Sequence, residues 1–145
     1  METLNDREFA LKLAWEMWGL KYVWGGDDSI AGFDCSGMVI ELLKSSGRLP
    51  LKGDWTAQEL YGRFKKNLVV VPRAGCLVFW GTIHSITHIE MMIDDKRTIG
   101  ASGGGSKTLT KGDAIRQNAY VKFRPLIFRS TPFAIVDPFR ADETI

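Results

Sequence analysis

Near the start of the chain, apolar residues recur at helical spacing. Phe9, Leu13, Met17 and Leu20 fall at i, i+4, i+8 and i+11, with Ala10, Ala14 and Trp18 beside them, which predicts an amphipathic helix over residues 5–19. Asn5 is suited to cap it, Glu8 stands at capping-box distance, and Gly19 ends the run. A short stretch, Tyr22-Val23-Trp24, leads into a loop rich in Gly and Asp from Gly25 to Gly32. A second helix is expected from Cys35 to Ser45. Met38, Val39, Leu42 and Leu43 form its apolar face, Asp34 is its natural cap, and Gly47 with Pro50 stops it. A third helical pattern covers residues 56–65, with Ala57, Leu60, Tyr61 and Phe64 on one side.

The period then changes from helical to alternating. Leu68–Val71, Cys76–Trp80, Thr87–Ile93 and Thr98–Ala101 are short, rich in β-branched or aromatic residues, and separated by turn signals. Asp94-Asp95-Lys96 reads as a hairpin connection, and Gly100–Ser106, with four glycines, as a mobile loop. Tyr120–Phe128 reads as a last strand, and Pro125 suits it to a sheet edge. The tail to Ile145 has no assignable pattern. Helices first and antiparallel strands afterwards indicate an α+β fold in one domain spanning residues 1–145, without internal repeats.

Composition narrows the function classes. With 145 residues, 45% of them hydrophobic, the chain is long enough to bury a core. Lys and Arg number 19 against 17 Asp and Glu, a net charge of +2, and they are scattered, so no nucleic-acid partner is expected. No apolar run approaches the roughly 20 residues of a membrane span. The opening Met-Glu-Thr-Leu-Asn-Asp-Arg-Glu is acidic and polar, which predicts synthesis in the cytoplasm without a signal peptide. Two cysteines, Cys35 and Cys76, exclude a disulfide scaffold. His84 and His88 have ligand-like spacing, but they sit at a strand start and no paired cysteines accompany them, so no metal and no cofactor is expected.

Two residues carry candidate chemistry. Cys35 begins a helix directly after a Gly/Asp-rich loop, where free backbone N–H groups and the helix dipole favour the thiolate. A buried, inert thiol is the competing reading. His88 lies in an alternating strand in which Ile89, Met91 and Ile93 face one way and His88, Glu90 and Met92 the other. An imidazole on a sheet face can meet a helix-capping cysteine as its general base, and a hydrogen-bonded surface histidine is the alternative. Such a pair needs a third polar group to orient the ring.

The stretch Tyr22-Val23-Trp24-Gly25-Gly26, followed by Gly32-Phe33-Asp34-Cys35-Ser36-Gly37-Met38-Val39, resembles the NlpC-type cysteine peptidases of bacterial cell walls. Arg73-Ala74-Gly75-Cys76-Leu77-Val78-Phe79-Trp80 and Thr87-His88-Ile89 resemble two further blocks of that family, and the likeness covers residues 7–102. It implies a papain-like fold, with the nucleophile helix packed on an antiparallel sheet that carries the histidine. It also implies hydrolysis of peptide bonds in peptidoglycan stem peptides through a thioester acyl-enzyme. Cys35 would be the nucleophile and His88 the general base, with Tyr22 near the nucleophile and the oxyanion. Asp34 and Ser36 would bind substrate, and Trp24 and Trp80 would line the groove or join the core.

Three positions depart from the family pattern. Its third polar residue falls at Gly100, which cannot orient an imidazole. Glu90, about 7 Å from His88 as an i, i+2 neighbour, and Ser102 are the candidates to replace it, and a solvated charge is the other reading of Glu90. Cys76 takes a usual aspartate position as a buried neutral thiol, and residues 107–145 match poorly. A catalytically impaired module binding cell-wall peptide, for example in a phage tail, and an amidase or transpeptidase are the alternative functions. Action at the cell wall would then call for delivery by a phage or a secretion system, or for a signal cut from the sequence as given.

Overall fold

The computed structural model describes residues 4–21, 27–28, 32–102, 107–126 and 131–140. Helix α1 (Asp6–Met17) is capped by Asn5, whose side chain accepts from the Glu8 N–H at 2.8 Å. Its inner face is narrower than the periodicity suggests. Ala10, Ala14 and Met17 are buried, whereas Phe9 and Trp18 are exposed, because small residues let α1 lie close to its neighbours. Two short antiparallel strands, β1 (Asp27–Asp28) and β2 (Gly32–Phe33), precede α2 (Cys35–Ser45). All four predicted apolar residues of α2 are fully buried, each worth about 1.5–3 kcal/mol of hydrophobic stabilisation. Helix α3 (Ala57–Phe64) starts with a complete capping box between Thr56 and Glu59 and is followed by a 3-10 turn over Lys65–Asn67. None of the described helices is long and apolar enough to cross a membrane.

Five strands form one antiparallel sheet: β3 (Leu77–Thr82), β4 (Ser85–Met92), β5 (Arg97–Ser102), β6 (Tyr120–Pro125) and β7 (Ala134–Val136), in the order β6-β5-β4-β3-β7. The turn at Asp94 is fixed by its side chain, which accepts from the Lys96 and Arg97 N–H groups. Three sequence expectations are corrected. Leu68–Val71 makes a single bridge, Leu68 to Val136, and is not a strand, since Leu68, Val70 and Val71 are exposed. Residues 100–102 belong to β5 rather than to a loop, paired along β6 from Gly100–Lys122 to Ser102–Tyr120. The unassigned tail supplies β7, which pairs with β3, and a fourth helix, α4 (Lys111–Gln117), lies between β5 and β6 with a Thr110–Asp113 capping box. The edge position of β6 follows from Pro125, while Leu126 donates its N–H to Lys96.

The sheet is buried on both faces. Leu77, Phe79, Ile89, Met91, Ile99, Ala101, Val121 and Val136 pack with the residues of α1, α2 and α3 into the main core. Cys76, Val78, Trp80 and Met92 form a second cluster, covered by Val69, Leu126 and Ile135. His88 and Glu90, opposite Trp80 and Val78 in the β3–β4 pairing, therefore lie in the interior. Next to them the register shifts between Trp80 and Gly81. Gly81 has φ +113°, and a Cβ there would sit 2.4 Å from the Ser85 carbonyl oxygen, so the bulge requires glycine.

Candidate active site

Asp34 caps α2 by accepting from the Gly37 N–H at 2.6 Å, and this places Cys35 as the first helical residue. The Ser36 hydroxyl also reaches the Asp34 carboxylate, at 3.4 Å. Cys35 packs at the margin of the main core, and α2 lies across β4 and β5. The backbone N–H groups of Ile89 and Ser36 lie near enough to its sulfur to favour the thiolate. The thiol thus lies against the residue that follows His88, on the strand that carries the imidazole.

The expected lowering of the thiol pKa is corrected. Burial first, and then the Asp34 charge, push Cys35 up to about 11, outweighing the two N–H groups that favour the thiolate. A helix N-terminus contributes a fraction of a charge, whereas desolvation acts on the whole charge of the anion. Exchanging Asp34 for Asn isolates one of these effects. Asn caps as well as Asp, so Asp34→Asn is expected to keep the fold and shift the pH dependence of Cys35 alkylation to lower pH. An unchanged alkylation profile, measured with iodoacetamide in a Cys76→Ala background, would remove Asp34 as a cause.

His88 is 6% exposed and Glu90 0%. Their side chains meet at 2.6 Å, His88 Nε2 to Glu90 Oε2, and the Thr98 hydroxyl donates to Glu90 Oε1 at 2.7 Å. Of the two readings of Glu90, the solvated charge is overturned: both carboxylate oxygens are engaged in the interior. The His88 ring is also flanked by Trp80 at 5.6 Å between centroids. Trp80 is itself only 1% exposed, so it does not line an open groove; it packs beneath the histidine. Thr98 escaped the sequence reading. The available signal was the alternation of β5, which puts Thr98 and Gly100 on one face. Thr98 is paired with Met92, diagonally next to Glu90.

Ser102 pairs through its backbone with Tyr120 at the end of β5, and its side chain lies outside the described part. Tyr22 and Trp24 lie outside the described residues. Cys76 is a free, fully buried thiol, pushed up by burial, and His84 sits exposed in the turn between β3 and β4.

A helix that starts on a cysteine and packs across an antiparallel sheet carrying a buried histidine is the arrangement of the papain-like fold. The sequence matches the profile of the NlpC/P60 family over residues 19–124, and the chain belongs to that family. The match extends beyond the 7–102 resemblance to take in α4 and β6, the strand that pairs with the outer side of β5. Over 107 residues it is 35% identical to the bifunctional muramidase/DL-endopeptidase CwlT of Bacillus subtilis (strain 168), covering 71% of this chain and 31% of that protein. Protein P54 of Enterococcus faecium is 37% identical over 94 residues, which cover 63% of this chain and 17% of P54. The chain therefore spans less than a third of the length of these relatives. Among solved structures, the NlpC/P60 domain of the peptidoglycan hydrolase SagA superposes with a TM-score of 0.66 at 23% identity, covering 92% of this chain and 99% of that one. The peptidoglycan hydrolase RipB from Mycobacterium tuberculosis gives 0.68 at 18% identity, over 92% of this chain and 64% of its own.

Proposed function

We propose that this chain is a cysteine endopeptidase that hydrolyses peptide bonds in peptidoglycan stem peptides. The observation that carries the reading is the seating of the Cys35 sulfur against the Ile89 N–H, beside His88, within a chain of the NlpC/P60 family. CwlT, by name a DL-endopeptidase, and SagA, by title a peptidoglycan hydrolase, support the choice of substrate.

A thiol held up at about 11 is protonated at neutral pH, so the nucleophile forms only as its proton leaves. His88 takes that proton while the sulfur attacks the scissile carbonyl carbon. The tetrahedral oxyanion lies near the start of α2, where the Cys35 N–H points outward from the helix. Collapse breaks the C–N bond, and the proton on His88 passes to the departing amine, leaving a thioester on Cys35. His88 then draws a proton from water as the water oxygen attacks the thioester carbonyl, and the proton returns to the sulfur when the C–S bond breaks. Asp34 and Ser36, on the first turn of α2, stand where substrate would approach, and the carboxylate suits a substrate amino group.

The test is release of soluble muropeptides from purified sacculi. Wild type is expected to release fragments ending in new free amino groups, and Cys35→Ala is expected to release none above background. Equal release by both would dispose of the cysteine mechanism. Cleavage that yields no new amino termini would point instead to glycan cleavage.

A further inference from the structure

We infer that Glu90 is the residue that positions His88, and that Gly100 is glycine because the Glu90 side chain occupies the space beside it. This rests on the reading of Cys35 and His88 as the reacting pair.

A carboxylate removed from water is tolerated only when its charge and lone pairs are satisfied. Glu90 meets that condition in a way that acts on His88: one oxygen lies 2.6 Å from Nε2 and the other is held by Thr98 at 2.7 Å. With the carboxylate fixed from β5, the ring can rotate little without losing its partner.

Gly100 supplies the second, independent observation. Its φ is not in the left-handed region, so the backbone does not require glycine there. Space does: a Cβ at position 100 would sit 2.4 Å from Glu90 Cγ, 2.6 Å from Cδ and 3.0 Å from Oε2. A side chain at position 100 and the observed Glu90 conformation exclude each other. The orienting group has moved from β5, where the family resemblance expects it, to the histidine's own strand, and the vacated position accommodates it.

Among the described residues, Cys35 from α2, which feels the Glu90 charge, and Lys122 from β6, opposite Gly100, are titratable groups that face this pair. Burial and the neighbouring Arg124 hold the Lys122 ammonium below its usual range, with Glu90 opposing them. Tyr120 lies beneath the Lys122 ammonium, 4.5 Å from ring centroid to nitrogen.

The experiment compares Glu90→Gln, Glu90→Ala, Gly100→Ala and the Glu90→Ala/Gly100→Ala pair, all checked by thermal melting. Two readouts are taken: kcat and KM on a muropeptide, and the pH dependence of Cys35 alkylation in a Cys76→Ala background. Glu90→Ala is expected to lower kcat by about 10²-fold with KM nearly unchanged. Glu90→Gln keeps an acceptor for Nε2–H without the charge. It is expected to regain most of kcat, with the pH dependence of Cys35 alkylation moved to lower pH, because the anion that helps raise the thiol is gone. Gly100→Ala should reproduce Glu90→Ala, and the pair should be no worse than Glu90→Ala alone.

Wild-type kcat and an unshifted pH profile in both Glu90 variants overturn the proposal, as does strict additivity of Glu90→Ala and Gly100→Ala. Both Glu90 variants lose the charge that acts directly on Cys35, so an alkylation profile altered further in Glu90→Ala than in Glu90→Gln supports the positioning role even if muropeptides prove to be the wrong substrate. Loss of the underlying reading would show instead as undiminished turnover in Cys35→Ala.

Discussion

His88→Ala is expected to lower kcat/KM at pH 7 by about 10³-fold, and the residual activity should then rise about tenfold for each unit of pH. Burial and Asp34 push the Cys35 thiol up to about 11. At pH 7 the thiolate fraction of such a group is about 10⁻⁴, and only the thiolate attacks. In the proposed mechanism the imidazole removes the proton as the bond forms, so the small resting fraction is not limiting. Without the imidazole, rate follows the ionised fraction, which grows in proportion to hydroxide until the pH passes about 11. Truncation also deprives the buried Glu90 carboxylate of a partner, so His88→Gln, which retains volume and an amide donor, is the companion variant. Rates of both, corrected for a Cys35→Ala control between pH 7 and 10, decide the matter. A flat corrected profile would mean that ionisation of Cys35 does not generate the nucleophile.

Asp137→Ala is expected to destabilise the fold by about 3–5 kcal/mol, the range for breaking a buried ion pair from one side. Asp137 is 1% exposed. Its carboxylate pairs with Arg7 Nη2 of α1 at 2.9 Å, lies 3.6 Å from Arg73 Nε, and accepts the Phe139 N–H at 3.0 Å. Arg7 also donates to the Ala74 carbonyl and lies over the Phe139 ring. Removing the carboxylate leaves a largely buried guanidinium without its anion and frees the segment after β7 from α1. For a domain of this size the loss corresponds to a fall in Tm of roughly 6–20 °C. Asp137→Asn retains an acceptor for the Phe139 N–H and should cost less, about 1–2 kcal/mol. Melting curves of the two variants at neutral pH provide the check, and a Tm within about 1 °C of wild type for Asp137→Ala would show that Asp137 does not hold the segment.

Several elements were legible because their determinants are local. Helix α2 runs from Cys35 to Ser45 as the sequence predicts: Asp34 satisfies the free N–H groups of the first turn, and Met38, Val39, Leu42 and Leu43 share one face. The same capping chemistry defines α1 and α3. The alternation of β4 put His88 and Glu90 on one face and Ile89 and Met91 on the other. Where the signal was weak, the reason was distance in the chain. β7 is three residues long and exists because it completes the edge of β3. Leu68–Val71 has strand composition but no continuous partner to pair with.

By itself, then, the sequence determined which residues are candidates for the chemistry and the helix and strand that carry them, since capping and hydrophobic period act over a few neighbouring residues. Tertiary structure alone decided their state. Whether Glu90 is solvated or bound to His88 depends on Thr98 and on the missing side chain of Gly100, both from another strand. Whether Cys35 rests as thiolate or thiol depends on how much water the surrounding elements exclude, and here desolvation outweighs the helix terminus. Desolvation and close packing are sums over every neighbour in space, and the order of residues along the chain does not contain that sum.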